Sequence, residues 1–176
     1  GDIAKAKSEI YQGLNADGLA LIPCEDANAA VFQTASKAFK QHTFGVGQGD
    51  IHAENIVLQP LSCAFDLVRG GERAAVLLPV PGKHNIHNAV AAAALALAAG
   101  LRLQEVSDGL QSFANIKGRL QIKSGIKNAV VLDDTYNANP DSMKAALDVL
   151  AALPAPRVFV MGDIGELGED ESAAMH

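Results

Sequence analysis

Apolar positions along the chain change period several times, and each change marks a new element. The opening GDIAKAKSEIYQGL places Ile3, Ala6, Ile10 and Leu14 on one stripe when turned at ~100° per residue, so a helix is expected. Lys7 falls inside that stripe, while Lys5, Ser8, Glu9 and Gln12 lie opposite. NADG then reads as a turn and LALIP as a short strand, and NAAVFQTASKAF sets Ala29, Phe32, Ala35 and Phe39 at helical spacing. From Ile51 to Val80 the runs shorten to IHAENIVLQ, SCAFDLVR and RAAVLLPV with a Gly70-Gly71 turn, the pattern of antiparallel strands. Helices resume over residues 85–99 and around 105–113. GRLQIKS and NAVVLDD read as strands, followed by a helix in NPDSMKAALDVLAAL and a strand RVFVMGD, together a strand–helix–strand unit. Asn139 suits the cap of that helix and Pro140 its first position. The whole is an α/β chain with a mixed sheet, and the change of rhythm near Lys117-Gly118 divides it into units of residues 1–117 and 118–176. Neither terminus looks like a natural element end, so a longer polypeptide is expected.

Composition narrows the class. About half the residues are apolar (49%), enough for one large or two small domains with a buried core. The alanine run at 89–99 is shorter than the ~20 apolar residues a bilayer requires and stops at Gly100, so it reads as a buried helix and no membrane insertion is expected. Net charge is -6 with scattered basic residues, which argues against nucleic acid as a partner. Cys24 and Cys63 are too few for a disulfide framework and no signal-peptide pattern opens the sequence, so reduced thiols in a cytoplasmic setting are expected.

Four places carry candidate chemistry. Lys7 either lets its stem pack while the ammonium reaches water, or is held inward, where it must meet a carboxylate, lose its proton or be modified. In DDTYNANPDSM, Asp133 and Asp134 end an apolar strand, where ligands of open α/β sheets bind and an acid can take sugar hydroxyls. The amides of that loop also suit turns and caps, which accounts for Asn139 and Pro140 but not for Tyr136, Asn137 or the double Asp. In PGKHNIHNAV, Asn85 and Asn88 share a face of the first helical turn, either as caps or as donor–acceptor pairs for a purine edge. Gly82-Lys83-His84 lacks the spacing and hydroxyl of a phosphate loop, and His84 with His87 lacks a third ligand at zinc spacing. Arg119 stands at the suspected junction, where a guanidinium can reach phosphates or simply face solvent, and Asp163 and Glu166 follow another strand end.

PGKHNIHNAVAAAALALAAG, KGRLQ, LDDTYNANPDSMKAALDVL and MGDIGELGEDESAAMH, in this order, resemble the Mur ligases of bacterial cell-wall synthesis. Each motif is weak alone; the series is specific and covers most of the chain. DDTYNANPDSM is most similar to the member that joins D-alanyl-D-alanine to UDP-N-acetylmuramoyl-tripeptide. The resemblance implies the end of a central ATPase domain followed by the start of a Rossmann-like C-terminal domain. It implies ATP and Mg2+ as cofactors, those two substrates as partners and a monomeric whole enzyme. His84, Asn85 and Asn88 fall on the adenine motif, Arg119 on the arginine that approaches the ATP phosphates, and Asp134 on the ribose aspartate. Lys7 takes the place of a lysine that in several members is carbamylated and binds magnesium, and Tyr136, Asn137 and Asn139 become substrate-side candidates. The phosphate loop, the magnesium-binding Glu and His and the sugar-nucleotide domain are expected upstream of Gly1, so this chain alone is expected to be inactive. PCED at 23–26 departs from the family's NADD, a change expected to touch packing. Two other readings stay open: a folylpolyglutamate synthetase-like ligase, against which DDTYNANPDSM argues, and a non-catalytic nucleotide-binding module.

Overall fold

The order of the strands decides where everything else can sit. In the computed structural model, which describes residues 2–114 and 116–162, a five-stranded sheet runs β1-β2-β3-β4-β5. Its strands are β1 (Leu19–Pro23), β2 (Lys40–Val46), β3 (Ile51–Leu58), β4 (Cys63–Arg69) and β5 (Glu72–Leu78). The first two junctions are parallel and the last two antiparallel, so the expected mixed sheet and the Gly70-Gly71 hairpin are both present. The register aligns Phe44 with Ile51, Ala53 with Leu67 and Leu67 with Ala74, putting one apolar row on a single face.

That face is covered by α3 (Lys83–Ala98) and α4 (Leu103–Gln111). Ala89, Ala93 and Ala94 of α3 are buried against it, and their small side chains let the helix lie close. Ile86, Val90 and Leu97 fill the space between, and each such buried aliphatic side chain stabilises the fold by about 1.5–3 kcal/mol. The alanine run is thus the core helix its composition suggested. Among the described residues no helix is long and apolar enough to cross a membrane.

The first half holds one strand the sequence reading did not assign and one helix face it placed wrongly. β2 has no counterpart in the apolar pattern, because Lys40, Gln41, His42 and Thr43 are polar on both faces. Ladders on both sides, and Thr43 bonded through its N–H and hydroxyl to Asp50 Oδ2 at 2.8 and 2.9 Å, hold it as a strand anyway. In α1 (Asp2–Ser8) the stripe of Ile3, Ala6, Ile10 and Leu14 is not the buried face: Ile3 and Ile10 are 79% and 76% exposed, and Lys7 is exposed with them. The α-helix tightens to a 3-10 turn at Glu9–Gly13, and Tyr11 donates its hydroxyl to Leu21 O at 3.1 Å. This anchor turns Ala4 and Tyr11 inward instead, so Lys7 is not held inside an apolar stripe. α2 (Ala29–Ala35) packs beside α1 and against β1.

Beyond residue 117, β6 (Gln121–Ser124) and β7 (Val130–Asp133) form an antiparallel pair, and α5 (Pro140–Ala151) follows. Asn139 caps α5 as expected, its side chain accepting from Ser142 N at 2.8 Å. The expected strand RVFVMGD makes no ladder over residues 157–162. A cleft of about 1590 Å³ lies between it and β7, and Val158 and Val160 stay 79% and 86% exposed. Strand propensity supplies no partner for a ladder, so among the described residues the strand–helix–strand unit is not completed. Asp163 and Glu166 lie outside the described residues.

Candidate functional site

The site begins where β5 stops. Pro79 and Pro81 cannot continue a ladder, and Gly82, at φ 94°, turns the chain into α3. A Cβ on Gly82 would stand 2.6 Å from His84 Cε1 and 3.1 Å from Val149 Cγ2, so glycine lets the His84 ring fold over the turn while α5 packs on it. Asn85 donates its side-chain amide to Pro81 O at 2.7 Å, bracing the start of the helix and leaving its carbonyl oxygen without a partner among the described residues. Asn88 lies one turn on, exposed and without a partner among them. Asn85 therefore braces the turn, and its carbonyl oxygen is left as an acceptor among the described residues.

His84 is half-buried. Burial pushes its imidazole below the ordinary value of 6.5, the Asp134 carboxylate pulls it back up, and His87 pushes it down again. The ring is neutral at pH 7, so one nitrogen donates and the other accepts. His87 Nδ1 stands 3.4 Å from Glu25 Oε2, and the same oxygen accepts from Val46 N at 2.8 Å. Cys24 donates its thiol to Phe44 O at 3.2 Å. The PCED departure thus ties β1, β2 and α3 together, a packing role.

The second half of the site is built from Gly118–Leu120 and the loop after β7. Tyr136 N donates to Gly118 O at 3.0 Å and Leu120 N to Asp134 Oδ1 at 3.0 Å. The Arg119 guanidinium carbon lies 4.3 Å from the centroid of the Tyr136 ring. The two aspartates divide their work. Asp133 pairs with Lys123 and accepts from Thr135 Oγ1 at 2.7 Å, and these contacts hold its carboxyl below the ordinary 3.8. Asp134 keeps one oxygen free of partners among the described residues.

The three substrate-side candidates each have a partner within the chain. Asn139 is occupied by the α5 cap, Asn137 Oδ1 accepts from the neighbouring Ala138 N at 2.9 Å, and Tyr136 stacks on Arg119. Thr135 went unnoticed in the sequence, and Gly82 was weighed only as part of a phosphate loop, although a Pro-Gly pair before a helix is a readable turn signal. No hydrogen bond or ion pair among the described residues joins Lys7 to this cluster, and among them no three His, Cys, Asp or Glu side chains could hold a metal.

What remains is a row of complementary chemistry. The neutral imidazole and two amides suit a heteroaromatic edge, the carboxylate oxygen suits a diol, and the Arg119 guanidinium, without an ion pair among the described residues, suits an anion. The Asp134 field on His84 and Val149 against Gly82 bring the two halves of that row together.

Comparison with known proteins gives the family. A family model described as the Mur ligase middle domain matches residues 1–96, and one described as Mur ligase, glutamate ligase domain matches residues 118–176. The UDP-N-acetylmuramoyl-tripeptide--D-alanyl-D-alanine ligase of Escherichia coli K12 is 40% identical over 176 residues, covering 99% of this chain and 39% of the relative. Crystal structure I of MurF from Acinetobacter baumannii superposes with a TM-score of 0.90 at 43% identity, covering 96% of this chain and 37% of that one. MurF ligase from Thermotoga maritima in complex with ADP shares the fold, with a TM-score of 0.81 at 21% identity over 97% of this chain and 39% of that one. The chain spans about two fifths of the length of these relatives.

Proposed function

The chain belongs to the Mur ligase family, and from that premise we propose that it supplies the nucleoside-binding part of an ATP-dependent ligase that joins D-alanyl-D-alanine to UDP-N-acetylmuramoyl-tripeptide in peptidoglycan synthesis. The observation that carries the proposal is that Val149 of α5 packs at Gly82 and the Asp134 charge reaches His84, which brings the turn bearing His84, Asn85 and Asn88 beside the unit bearing Asp134 and Arg119. In this reading the amides and neutral imidazole take adenine, the free oxygen of Asp134 takes a ribose hydroxyl, and Arg119 faces the phosphates. Residues 1–117 and 118–176 are then two domains with the nucleotide between them.

The reaction has two steps. The tripeptide carboxylate attacks the γ-phosphorus of ATP, the bond to ADP breaks, and an acyl phosphate forms; the amine of D-alanyl-D-alanine then displaces phosphate, losing a proton as the amide forms. Phosphoryl transfer asks the protein mainly for position and positive charge around the migrating group. Arg119 offers that charge, and the His84–Asp134 region fixes the other end of the nucleotide. Magnesium, when bound with ATP, neutralises phosphate charge. Lys7 is its candidate side chain in this chain, as a carbamate, and the half-saturating magnesium concentration of a Lys7→Ala ligase decides: a raised value supports it and an unchanged one removes it.

The 176 residues hold no G-x-x-x-x-G-K-[ST] loop, so the chain alone does not turn over in this reading. A cytoplasmic setting accords with the free thiols of Cys24 and Cys63. The test is phosphate release by the ligase that carries this chain: it requires both the UDP-linked tripeptide and D-alanyl-D-alanine. Release that proceeds equally well with a folate and glutamate in their place contradicts the proposal.

A further inference from the structure

Arg119 sits between two residues in left-handed backbone, Gly118 at φ 72° and Leu120 at φ 47°. That region is unfavourable for leucine and persists only where surrounding contacts hold it. Here the contacts are visible. Leu120 is 4% exposed and its N–H is held by Asp134, while the Gly118 carbonyl accepts from Tyr136 N. A Cβ on Gly118 would stand 3.0 Å from Tyr136 N and 3.2 Å from Tyr136 Cβ, so the two segments touch backbone to backbone. The exposed Arg119 side chain has no ion pair among the described residues, and the Tyr136 ring is the group that orients it. Tyr136 itself is 68% exposed and its hydroxyl bonds nothing among the described residues, so the ring does not serve the core.

We infer that Tyr136 is a positioning residue that presents the Arg119 guanidinium to the nucleotide phosphates. Gly118–Leu120 and Asp134–Tyr136 form one preset clamp in which ribose and phosphate recognition are mechanically joined. The inference rests on the proposed role of Arg119 and deepens it. An unrestrained arginine loses much rotamer freedom on binding, and a neighbour that orients it beforehand lessens that loss. A carboxylate would orient it too, but would offset the charge the phosphates need. An aromatic face orients the planar cation and leaves its charge and N–H donors available.

The test is a set of variants in the ligase that carries this chain, assayed for kcat and for KM of ATP. Tyr136→Ala lowers kcat by roughly two- to fivefold, the scale of an exposed cation–π contact, with KM within about twofold. Tyr136→Phe keeps the parent rate, and Tyr136→Ala adds no further loss to Arg119→Ala. The melting temperature stays within ~1 °C for both tyrosine variants, since little buried surface is removed. Equal damage from Tyr136→Phe and Tyr136→Ala, or a full additional loss on top of Arg119→Ala, overturns the inference. If Arg119→Ala leaves kcat unchanged, the phosphate role of Arg119 falls and the inference with it; if Arg119→Ala impairs kcat and Tyr136→Ala does not, the inference alone falls.

Discussion

Gly118 is where a single methyl group tests the geometry around Arg119. Its φ of 72° disfavours any side chain, and an added Cβ meets Tyr136 N at 3.0 Å. Gly118→Ala is expected to destabilise the chain by about 1–3 kcal/mol and to weaken ADP binding, read by thermal unfolding and calorimetric titration. His84 gives a prediction in pH. Its folded value lies below 6.5, so as pH falls through that value the unfolded chain takes up the proton before the folded chain does. Stability attributable to His84 is therefore full above pH 6.5 and declines toward pH 5, and His84→Asn flattens the melting temperature over that window. A decline of the same size in the variant removes His84 as the source. At this scale the residues of the candidate site could be singled out in the sequence, because imidazole, amide, carboxylate and guanidinium announce their chemistry, while their roles remain proposals. The environment of Lys7 was not, because a helical wheel assumes constant pitch and cannot see the 3-10 turn and Tyr11 anchor that swing its side outward.

Among the elements, α5 separates a structural role from a functional one. Asn139 bonds Ser142 N, and Ser142 Oγ in turn accepts from Asn139 N at 3.0 Å. Asn139→Ala is expected to cost about 1 kcal/mol, lowering the melting temperature by ~2–4 °C, while ADP affinity stays within about twofold. A large loss of substrate affinity with unchanged stability would return Asn139 to the substrate side. Elements with strong periodic patterns, β3 to β5 and α3 to α5, were readable before the fold. β2 was not, since its strand state comes from ladders to β1 and β3 and the Asp50 contact, none of which is local. RVFVMGD erred the other way: its apolar content promised a strand that no partner completes among the described residues.

On the scale of the whole molecule, two units, each with its own sheet, carry the two halves of the proposed nucleotide site. α3 brings His84, Asn85 and Asn88 from the first, and the segments around Arg119 and Asp134 come from the second. No pattern within either unit could reveal that they meet; the packing of Val149 at Gly82, with the Asp134 charge felt at His84, is where they come together. The central claim, that this chain holds the nucleoside end of ATP across that junction, is tested most directly by titrating ADP into the isotopically labelled 176-residue chain and following its backbone amides by NMR. Saturable shifts concentrated at Lys83–Asn88 and Gly118–Tyr136, weakened at least about tenfold in Asp134→Ala, are the predicted result. Saturation with shifts confined to one unit, or no saturable shift at millimolar ADP, contradicts it.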